Sequence, residues 1–524
     1  MLKMSMKATK ARTRKSYLQR WKDDRAEARA TAVQAPSGPY SGEARPLDLR
    51  EWQGTTWGTC GMWPFVLGSP APTQGAQVGF HQDTGLPVGC DPLGWHDAGI
   101  IPNPSVFLLS QPSGGKSTLL RKMMIGSIAN GTPVLVLGDP RNEHTDVIEA
   151  MGGSIIHLGP GEGQLNIIDP TPALDAVRFI REGGNEDTIR ASGHEDAEGL
   201  IRKIVERMHV LRLNSLMGLI QINRGADVTG QESSILDACL RHLHDHEDIV
   251  PIISDVLRTL KARPPKVVEA ANPWREDRDH YREITENLEN DLIALTSGGG
   301  IGAMFNGPTT KPIRRDHSTS FDISRIPESD DKAIAAAYIA CWTAGFGMAE
   351  VHHALADAGL TPRRRYFAVL DEFWKPLGAA SGMVKRVDAI TRLNRDKGIA
   401  CAFASHTMKD ALSIPNEYDR VKASEFVTRA GAIILGGLRR EELENRIAPL
   451  VNLEAEEIDR VASWNSTGSF STRVSTQTRP GLGKFLIKIG EEPGIPIRTV
   501  ITQTEKDLGL HDTNKRIRKE GVSA

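Results

Sequence analysis

The sequence has 524 residues, of which 39% are hydrophobic and 25% charged, and its formal net charge is −2. This length corresponds to roughly three domains of about 150 residues, and the balanced charge argues against a globally basic nucleic-acid-binding or membrane-surface protein. The five cysteines show no CxxC pair and no metal-like spacing, so we expect free thiols in a reducing compartment.

The chain begins with a basic segment. Residues 1–30 contain ten Lys or Arg against three Asp or Glu, and a second basic cluster lies within 513–524. We interpret 1–45 and 513–524 as solvated tails, the first with one helix near 16–33, because segments this polar cannot bury a core. Contact with nucleic acid, an acidic partner or anionic lipid is the alternative.

No membrane anchor is predicted from the sequence. The basic N-terminus is not followed by the apolar run of a secretory signal. The most apolar stretch, 333–342, is shorter than the ~20 residues that cross a bilayer. We therefore expect a cytoplasmic protein, peripheral at the inner face of the cell membrane only through partners.

Residues 46–170 are predicted to form a short β-rich segment (46–100) followed by the first part of an α/β core (101–170). Apolar runs at 105–109, 133–138 and 154–158 read as buried strands, and 117–129 reads as a helix between the first two. Alternation of helices with continuously apolar strands is typical of a parallel sheet covered on both faces.

The pattern changes at about residue 171. Apolar residues recur every three or four positions through 197–219, 233–243, 249–260 and 281–295, which predicts a mainly helical insertion over 171–318. Strand patterns return in 319–512, at 367–370, 399–403, 431–435, 484–488 and 499–501. A single nucleotide-binding core interrupted by the insertion accounts for this order.

A phosphate-binding loop follows the first buried strand. The segment from Ser110 to Thr118 reads SQPSGGKST and matches the Walker A pattern except that Ser110 replaces its first glycine. Glycines let the backbone N–H groups curl around one anion, and the next helix aims its N-terminus at the same point. The predicted nucleotide-binding residues are Ser113, Gly114, Gly115, Lys116, Ser117 and Thr118. Lys116 is expected to contact the β- and γ-phosphates, and the Ser117 hydroxyl to ligate Mg²⁺.

The second half of the site is predicted at the end of strand 367–370, where Asp371 and Glu372 follow an apolar run as in a Walker B motif. Asp371 is the expected metal ligand. Glu372 is the expected general base, which would polarise the attacking water. A solvated acidic turn is the alternative, but the upstream Walker A motif favours the catalytic interpretation.

Three further candidates lie downstream. His406 or Thr407 follows the strand at 399–403 and would be placed to sense the γ-phosphate. Arg392 and Arg395 are candidates for an arginine finger that reaches into the site of a neighbouring subunit. The alternative for each arginine is an exposed salt bridge.

These motifs, in this order, resemble those of the TraC/VirB-type conjugation (type IV secretion) ATPases of the FtsK/HerA superfamily. The more specific pieces are GDPRNE at 138–143 and LNIIDP at 165–170, and the resemblance covers roughly 85–512. It implies a RecA-like P-loop core, ATP and Mg²⁺ as ligands, a hexameric homo-oligomer with inter-subunit sites, and secretion-apparatus partners. By the same resemblance, Asp139 and Glu143 would lie near the γ-phosphate side of the site.

The sequence departs from the family in three places. Serine stands at 110 where the family commonly has glycine, and histidine at 406 where it has glutamine. If the turn at Ser110 needs a positive φ, serine would cost on the order of 1 kcal/mol. Only about 100 residues precede the loop, so we expect the family's large N-terminal domain to be missing.

Three functions are compatible with the sequence. The first is an ATPase that energises conjugative DNA or protein transfer. The second is a DNA translocase or coupling-type ATPase of the same superfamily, which the basic N-terminus favours. The third is a nucleotide-binding scaffold without hydrolysis, which Ser110 favours and the intact Lys116, Asp371 and Glu372 disfavour.

Overall fold

The computed structural model describes residues 69, 71–183, 186–194, 196–246, 250–271, 278–297, 299–378, 384, 387–388, 398–412, 414, 416–465 and 481–512. The predicted helix at 16–33, most of the predicted β-rich segment before residue 69 and the C-terminal basic tail lie outside these residues. The four cysteines within them are buried and free.

One eleven-stranded sheet organises this part of the chain, in the order β2-β1-β11-β10-β9-β3-β8-β7-β4-β6-β5. Seven neighbouring strands, from β9 to β5, run parallel, and the other four extend the sheet with antiparallel pairs. The strands are β1 Gln77–His81, β2 Pro87–Gly89, β3 Ser105–Leu109, β4 Val134–Asp139, β5 Ser154–His157, β6 Thr319–Asp322, β7 Tyr366–Leu370, β8 Ile399–Ser405, β9 Ala432–Leu435, β10 Lys484–Lys488 and β11 Ile495–Thr499.

The central parallel strands are buried along their whole length. Every residue of β3, β7 and β8 is buried, which is why each reads as an unbroken apolar run. Leu109 is in register with Ser405, and Leu370 with Phe403. The carboxyl ends of these three strands therefore lie together, and so do the loops that follow them.

Helices cover the faces of the sheet. Those outside the insertion are α1 Pro92–Asp97, α2 Lys116–Ala129, α3 Thr145–Ala150, α12 Asp331–Asp357, α13 Trp374–Leu377, α14 Lys409–Leu412, α15 Glu417–Thr428, α16 Arg440–Glu442, which continues as a π-helix at Leu443–Ile447, α17 Ala455–Ser463 and α18 Gln503–Asp507. Strands alternating with helices on both faces give the α/β architecture that the sequence predicts.

Eight helices lie between β5 and β6 in the described residues and form the mainly helical insertion. They are α4 Thr171–Gly183, α5 Glu186–Ala191, α6 Ala197–Arg224, α7 Gly230–His246, α8 Ile253–Ala262, α9 Pro265–Ala271, α10 Arg278–Thr296 and α11 Ile301–Phe305. The longest, α6, begins where the Asp196 side chain caps the Gly199 N–H and ends at the left-handed Gly225.

Two predicted elements need correction. The last strand is at Ile495–Thr499, not at 499–501, because it pairs with β10 in the register Phe485 to Ile497. The apolar run at 333–342 belongs to the 27-residue helix α12, which is long enough to cross a bilayer. However, 89% of its most apolar window is buried inside the protein, where it packs on α6 and β4 as a core helix.

Candidate functional site

The loop after β3 forms an open backbone cradle. Ser113 and Gly115 adopt left-handed φ angles of 66° and 100°, and α2 begins directly afterwards at Lys116. No side chain caps the N-terminus of α2, so the N–H groups of its first turn, which includes Ser117 and Thr118, can face an anion. The predicted phosphate-binding loop thus has the local geometry its sequence requires.

The φ angle of Ser110 is not positive, so serine in place of glycine causes no backbone strain at this position. Its side chain is fully buried between two glycines. A Cβ atom on Gly114 would lie 2.4 Å from Ser110 Oγ, and a Cβ atom on Gly436 only 2.3 Å from it. The extra atoms of serine therefore fill space that the two glycines leave open.

The C-terminal strands close one side of the cradle. Gly483 donates its N–H to the Gly114 carbonyl at 3.0 Å. A Cβ atom on Gly115 would lie 3.2 Å from the Gly483 backbone nitrogen. The φ angle of Gly115 therefore favours glycine, and the close approach of Gly483 leaves little room for a side chain.

Lys116 joins the cradle to the end of β7. Its Nζ atom lies 2.5 Å from Asp371 Oδ1 and 3.6 Å from Glu372 Oε1, and all three side chains are buried. Burial alone would lower the pKa of Lys116, but Asp371 and Glu372 raise it overall. The structure therefore brings together the predicted Walker A and Walker B residues as one buried charge cluster.

Glu372 is held in an unusual conformation. Its φ angle is 50°, and its N–H donates to Asp371 Oδ1 at 2.9 Å. The next residue, Phe373, anchors the turn by packing on Phe403 with ring centroids 4.7 Å apart. Left-handed φ at a residue other than glycine costs about 1–3 kcal/mol and is found mainly at functional sites.

His406, at the end of β8, lies beside Glu372. The distance from His406 Nε2 to Glu372 Oε1 is 2.8 Å, although the ring N–H is poorly aligned for a hydrogen bond. The other ring nitrogen lies 3.2 Å from the Ser110 carbonyl oxygen. Thr407 instead accepts the Lys409 N–H and contacts Asp410. Of the two sensor candidates, the structure thus places His406 in contact with the acidic pair.

The loop after β4 covers the other side of Asp371. Ser117 Oγ donates to Glu143, and His144 Nε2 lies 3.3 Å from Asp371 Oδ2. Asp139 accepts the backbone N–H groups of Glu143 and His144 at 2.9 and 2.7 Å. Asp139 therefore holds the loop in its conformation, while Glu143 lies next to Ser117, one of the two predicted metal ligands.

Both acidic residues after β7 are ionised at neutral pH. Burial would raise the pKa of Asp371, but Lys116 and His144 outweigh it and hold that pKa far below its usual range. Burial likewise opposes ionisation of Glu372, yet His406 and Lys116 bring its pKa below the ordinary value. The charge state fits a metal ligand and a general base.

The oxygen ligands around Ser117 suit Mg²⁺ with a nucleotide. Among the described residues no group of three or more His, Cys, Asp or Glu side chains is arranged to hold a metal ion alone. Mg²⁺ commonly uses few protein ligands together with substrate phosphates, so Ser117 and Asp371 beside an open phosphate cradle fit it.

Arg392 and Arg395 lie outside the described residues. Two residues that the sequence did not indicate do reach the acidic pair. His144 contacts Asp371, and Arg141 Nη2 lies 3.9 Å from Glu372 Oε1 with its side chain half exposed. Both lie in or next to the GDPRNE motif at 138–143, which is the signal that points to this loop.

No protein-family model and no curated protein sequence matches this chain. Among solved structures, VirB4 of Thermoanaerobacter pseudethanolicus is similar with a TM-score of 0.57 and 17% identity, over 84% of this chain and 100% of that one. The plasmid coupling protein TrwB in complex with ADP and Mg²⁺ has a TM-score of 0.46 and 11% identity, over 83% and 91% of the two chains. The similarity to VirB4 confirms the predicted fold, an α/β RecA-like P-loop core with a mainly helical insertion.

Proposed function

We propose that this chain is an ATP-hydrolysing motor that energises conjugative DNA or protein transfer through a type IV secretion-like apparatus. One observation carries the ATPase assignment: Lys116, at the start of the helix that follows the phosphate cradle, meets Asp371 and Glu372 at the adjoining edge of the same sheet. The shared fold with VirB4 supports the choice of transport process.

Each residue of the cluster has a chemical task in this proposal. The ammonium group of Lys116 binds the β- and γ-phosphates, and the first-turn N–H groups of α2 bind their oxygens. Ser117 and Asp371 hold Mg²⁺, which when bound neutralises charge on the phosphates. Glu372 accepts a proton from the attacking water.

In this proposal, nucleotide binding replaces the ion pair between Lys116 and Asp371 with a contact between Lys116 and phosphate. Phosphate oxygens compete with Asp371 for the ammonium group, and loss of that contact frees the carboxylate for the metal. Glu372 also contacts His406, at 2.8 Å, and that contact does not involve Lys116. We infer that this contact holds the general base in place while Lys116 changes partner.

The proposal extends to assembly. We infer a homo-oligomeric, hexameric ring in which Arg392 or Arg395 reaches the γ-phosphate of the neighbouring subunit. Secretion-apparatus proteins are the expected partners, with the chain in the cytoplasm and at the inner membrane face only through them. Arg141 supports this arrangement, since its half-exposed side chain lies 3.9 Å from Glu372 Oε1.

The direct test is ATP hydrolysis by the purified chain with and without Mg²⁺. We expect Mg²⁺-dependent turnover that Lys116→Ala abolishes. Lys266→Ala is the matched control, since it removes the same charge from an exposed position in the insertion. Equal turnover in both variants would overturn the ATPase assignment.

Two alternatives give different results in the same assay. A DNA translocase or coupling-type ATPase would show DNA-stimulated turnover and DNA binding that falls steeply with salt. A non-hydrolysing scaffold would bind ATP tightly without turnover, alone or with DNA. The ionised state of Glu372 and its contacts with Lys116 and His406 favour hydrolysis over the scaffold.

A further inference from the structure

A basic surface lies at the edge of the sheet opposite the phosphate loop. The loop before β6 contributes Arg314 and Arg315, and the loop before β7 contributes Arg363 and Arg364, all with exposed side chains. The parallel strands β6 and β7 have only β4 between them, so their starts lie about 10 Å apart at this edge. The Tyr366 hydroxyl joins the two loops by donating to the Arg315 carbonyl at 3.0 Å. The four arginines therefore form one surface, the arginine patch.

Half of the positive charge in the arginine patch is unpaired. Asp316 and Asp357 pair with the first arginine of each loop. In the part of the chain that the structure describes, no carboxylate oxygen lies within 4.0 Å of the guanidinium nitrogens of Arg315 or Arg364. Burial is the largest cause that lowers the pKa of His352, and Arg315 and Arg364 both lower it further. The two free charges therefore lie near the same point of the surface.

An apolar cavity lies beside Arg315. Its volume is about 160 Å³. Pro312 and Ile313 line it from the same loop as Arg315, while α6 and α12 supply other walls through residues such as Leu211 and Val351. Because Pro312 and Arg315 are exposed, the cavity is reached from the protein surface.

The other charged groups of the cavity are engaged within the protein. The Asp169 carboxylate accepts the Thr171 N–H at 2.8 Å and the Thr309 hydroxyl at 3.0 Å. Arg212 is buried and donates its Nε–H to a backbone carbonyl at 2.7 Å. The exposed Asp175 has an arginine partner at 3.6 Å. A ligand would therefore meet apolar walls and, beside them, the unpaired positive charge of the arginine patch.

The composition of this surface favours a protein partner over a nucleic acid. Arginine is enriched and lysine depleted at protein–protein interfaces, and all four cations of the arginine patch are arginines. Surfaces that bind single-stranded nucleic acids combine cations with exposed aromatic rings on which bases stack. The aromatic residue next to the patch, Tyr366, is fully buried and offers no such ring.

We propose that the arginine patch and the neighbouring cavity bind an acidic segment of a protein partner, with one apolar side chain in the cavity and carboxylates on Arg315 and Arg364. Hydrogen bonds between arginine and carboxylate are among the stronger polar contacts in proteins. An apolar side chain that fills a pocket is a common anchor of protein interfaces. The surface lies at the edge of the sheet opposite Lys116, so a partner bound here leaves the proposed ATP site open.

The test uses two fluorescent peptides of equal length, one made of Glu and Leu and the other of Glu and Ser, and an oligothymidylate of the same net charge. Fluorescence anisotropy gives the Kd of each probe for the full chain. The variant Arg315→Gln/Arg364→Gln removes both unpaired charges, and Ala344→Leu adds apolar atoms to the wall of the cavity. Arg202→Gln/Arg282→Gln is the matched control, because these arginines of α6 and α10 are also exposed.

We expect the Glu/Leu peptide to bind, with a Kd that rises about tenfold in Arg315→Gln/Arg364→Gln and does not change in the control. Ala344→Leu should weaken the Glu/Leu peptide about tenfold and leave the Glu/Ser peptide unchanged, which also shows that this variant is folded. No measurable binding of the Glu/Leu peptide, or equal Kd values for the two peptides, would overturn the proposal. Tighter binding of the oligothymidylate through the same two arginines would overturn it in favour of a nucleic-acid surface.

Discussion

The Nζ atom of Lys116 lies 2.5 Å from the Oδ1 atom of Asp371, so a buried ion pair joins the phosphate loop to the end of β7. Removing one partner of a buried pair leaves the other charge uncompensated, which costs about 3–5 kcal/mol. Glu372, 3.6 Å from the same ammonium group, offsets part of that loss. Lys116 and Asp371 therefore contribute to the stability of the nucleotide-free protein as well as to the proposed chemistry.

The first prediction concerns stability. Asp371→Asn should lower the free energy of unfolding by about 3 kcal/mol, at the low end for a broken buried pair. Denaturant unfolding of the nucleotide-free protein measures this. Asp357→Asn is the control, because it makes the same change in the exposed pair with Arg363 and should cost only about 0–1 kcal/mol. Equal losses in the two variants would contradict the prediction.

The second prediction is the pH dependence of that loss. Lys116 and His144 overcome the effect of burial and depress the pKa of Asp371 in the folded protein, so the unfolded chain binds the proton more readily. The stabilisation is complete above the unfolded pKa of about 3.9 and declines as pH falls below it. The difference in unfolding free energy between wild type and Asp371→Asn should be smaller at pH 3 than at pH 5. A difference that grows in acid would show that the sign is wrong.

The parallel core was predictable because its strands are buried on both faces. Burial forces unbroken apolar runs such as Tyr366–Leu370, and the motif residues follow those strands directly. The last strand was misplaced because Ile495–Thr499 contains a proline and an arginine, so 499–501 had the better strand composition. Pairing with Lys484–Lys488 overrides that local preference.

Site residues could be predicted where a single sequence motif identifies them. They could not be predicted where their role depends on a contact with a residue far away in the chain. Lys116, Asp371 and Glu372 could be identified from their own motifs. His144 could not, because its partner Asp371 is 227 residues away and only the strand order brings them together. Ser110 was identified as a departure, but its compensation by Gly436 also depends on tertiary packing.

The third prediction separates binding from chemistry. Glu372→Gln keeps the size of the side chain but cannot accept a proton, so ATP turnover should fall by about 100-fold or more while ATP binding remains. Turnover and the Kd of ATP are measured on the same preparation. Glu328→Gln, on an exposed loop before α12, is the control and should leave both unchanged. Normal turnover in Glu372→Gln would remove Glu372 from the role of general base.

The fourth prediction assigns a positioning role to His144. Its ring is fully buried, and Nε2 lies 3.3 Å from Asp371 Oδ2, so it orients the proposed metal ligand. Loss of such a supporting contact weakens metal affinity by about 10–100-fold. His144→Ala should therefore shift the Mg²⁺ dependence of turnover by at least about tenfold, with a smaller change in maximal rate at saturating Mg²⁺. His280→Ala, in α10 of the insertion, should leave the Mg²⁺ dependence unchanged, and so should His144→Ala if the contact is only structural.

The fifth prediction tests the fit of Ser110 against Gly436. A Cβ atom on Gly436 would lie 2.3 Å from Ser110 Oγ and 2.6 Å from Ser110 Cβ, so Gly436→Ala should destabilise the protein by about 1–3 kcal/mol through overpacking. Ser110→Gly removes both clashing atoms and leaves Phe485 Cε1 at 3.2 Å as the nearest remaining contact. The double variant should therefore recover most of the loss, and a thermodynamic cycle from denaturant unfolding measures the coupling. Additive effects of the two substitutions would show that Ser110 and Gly436 do not share this space.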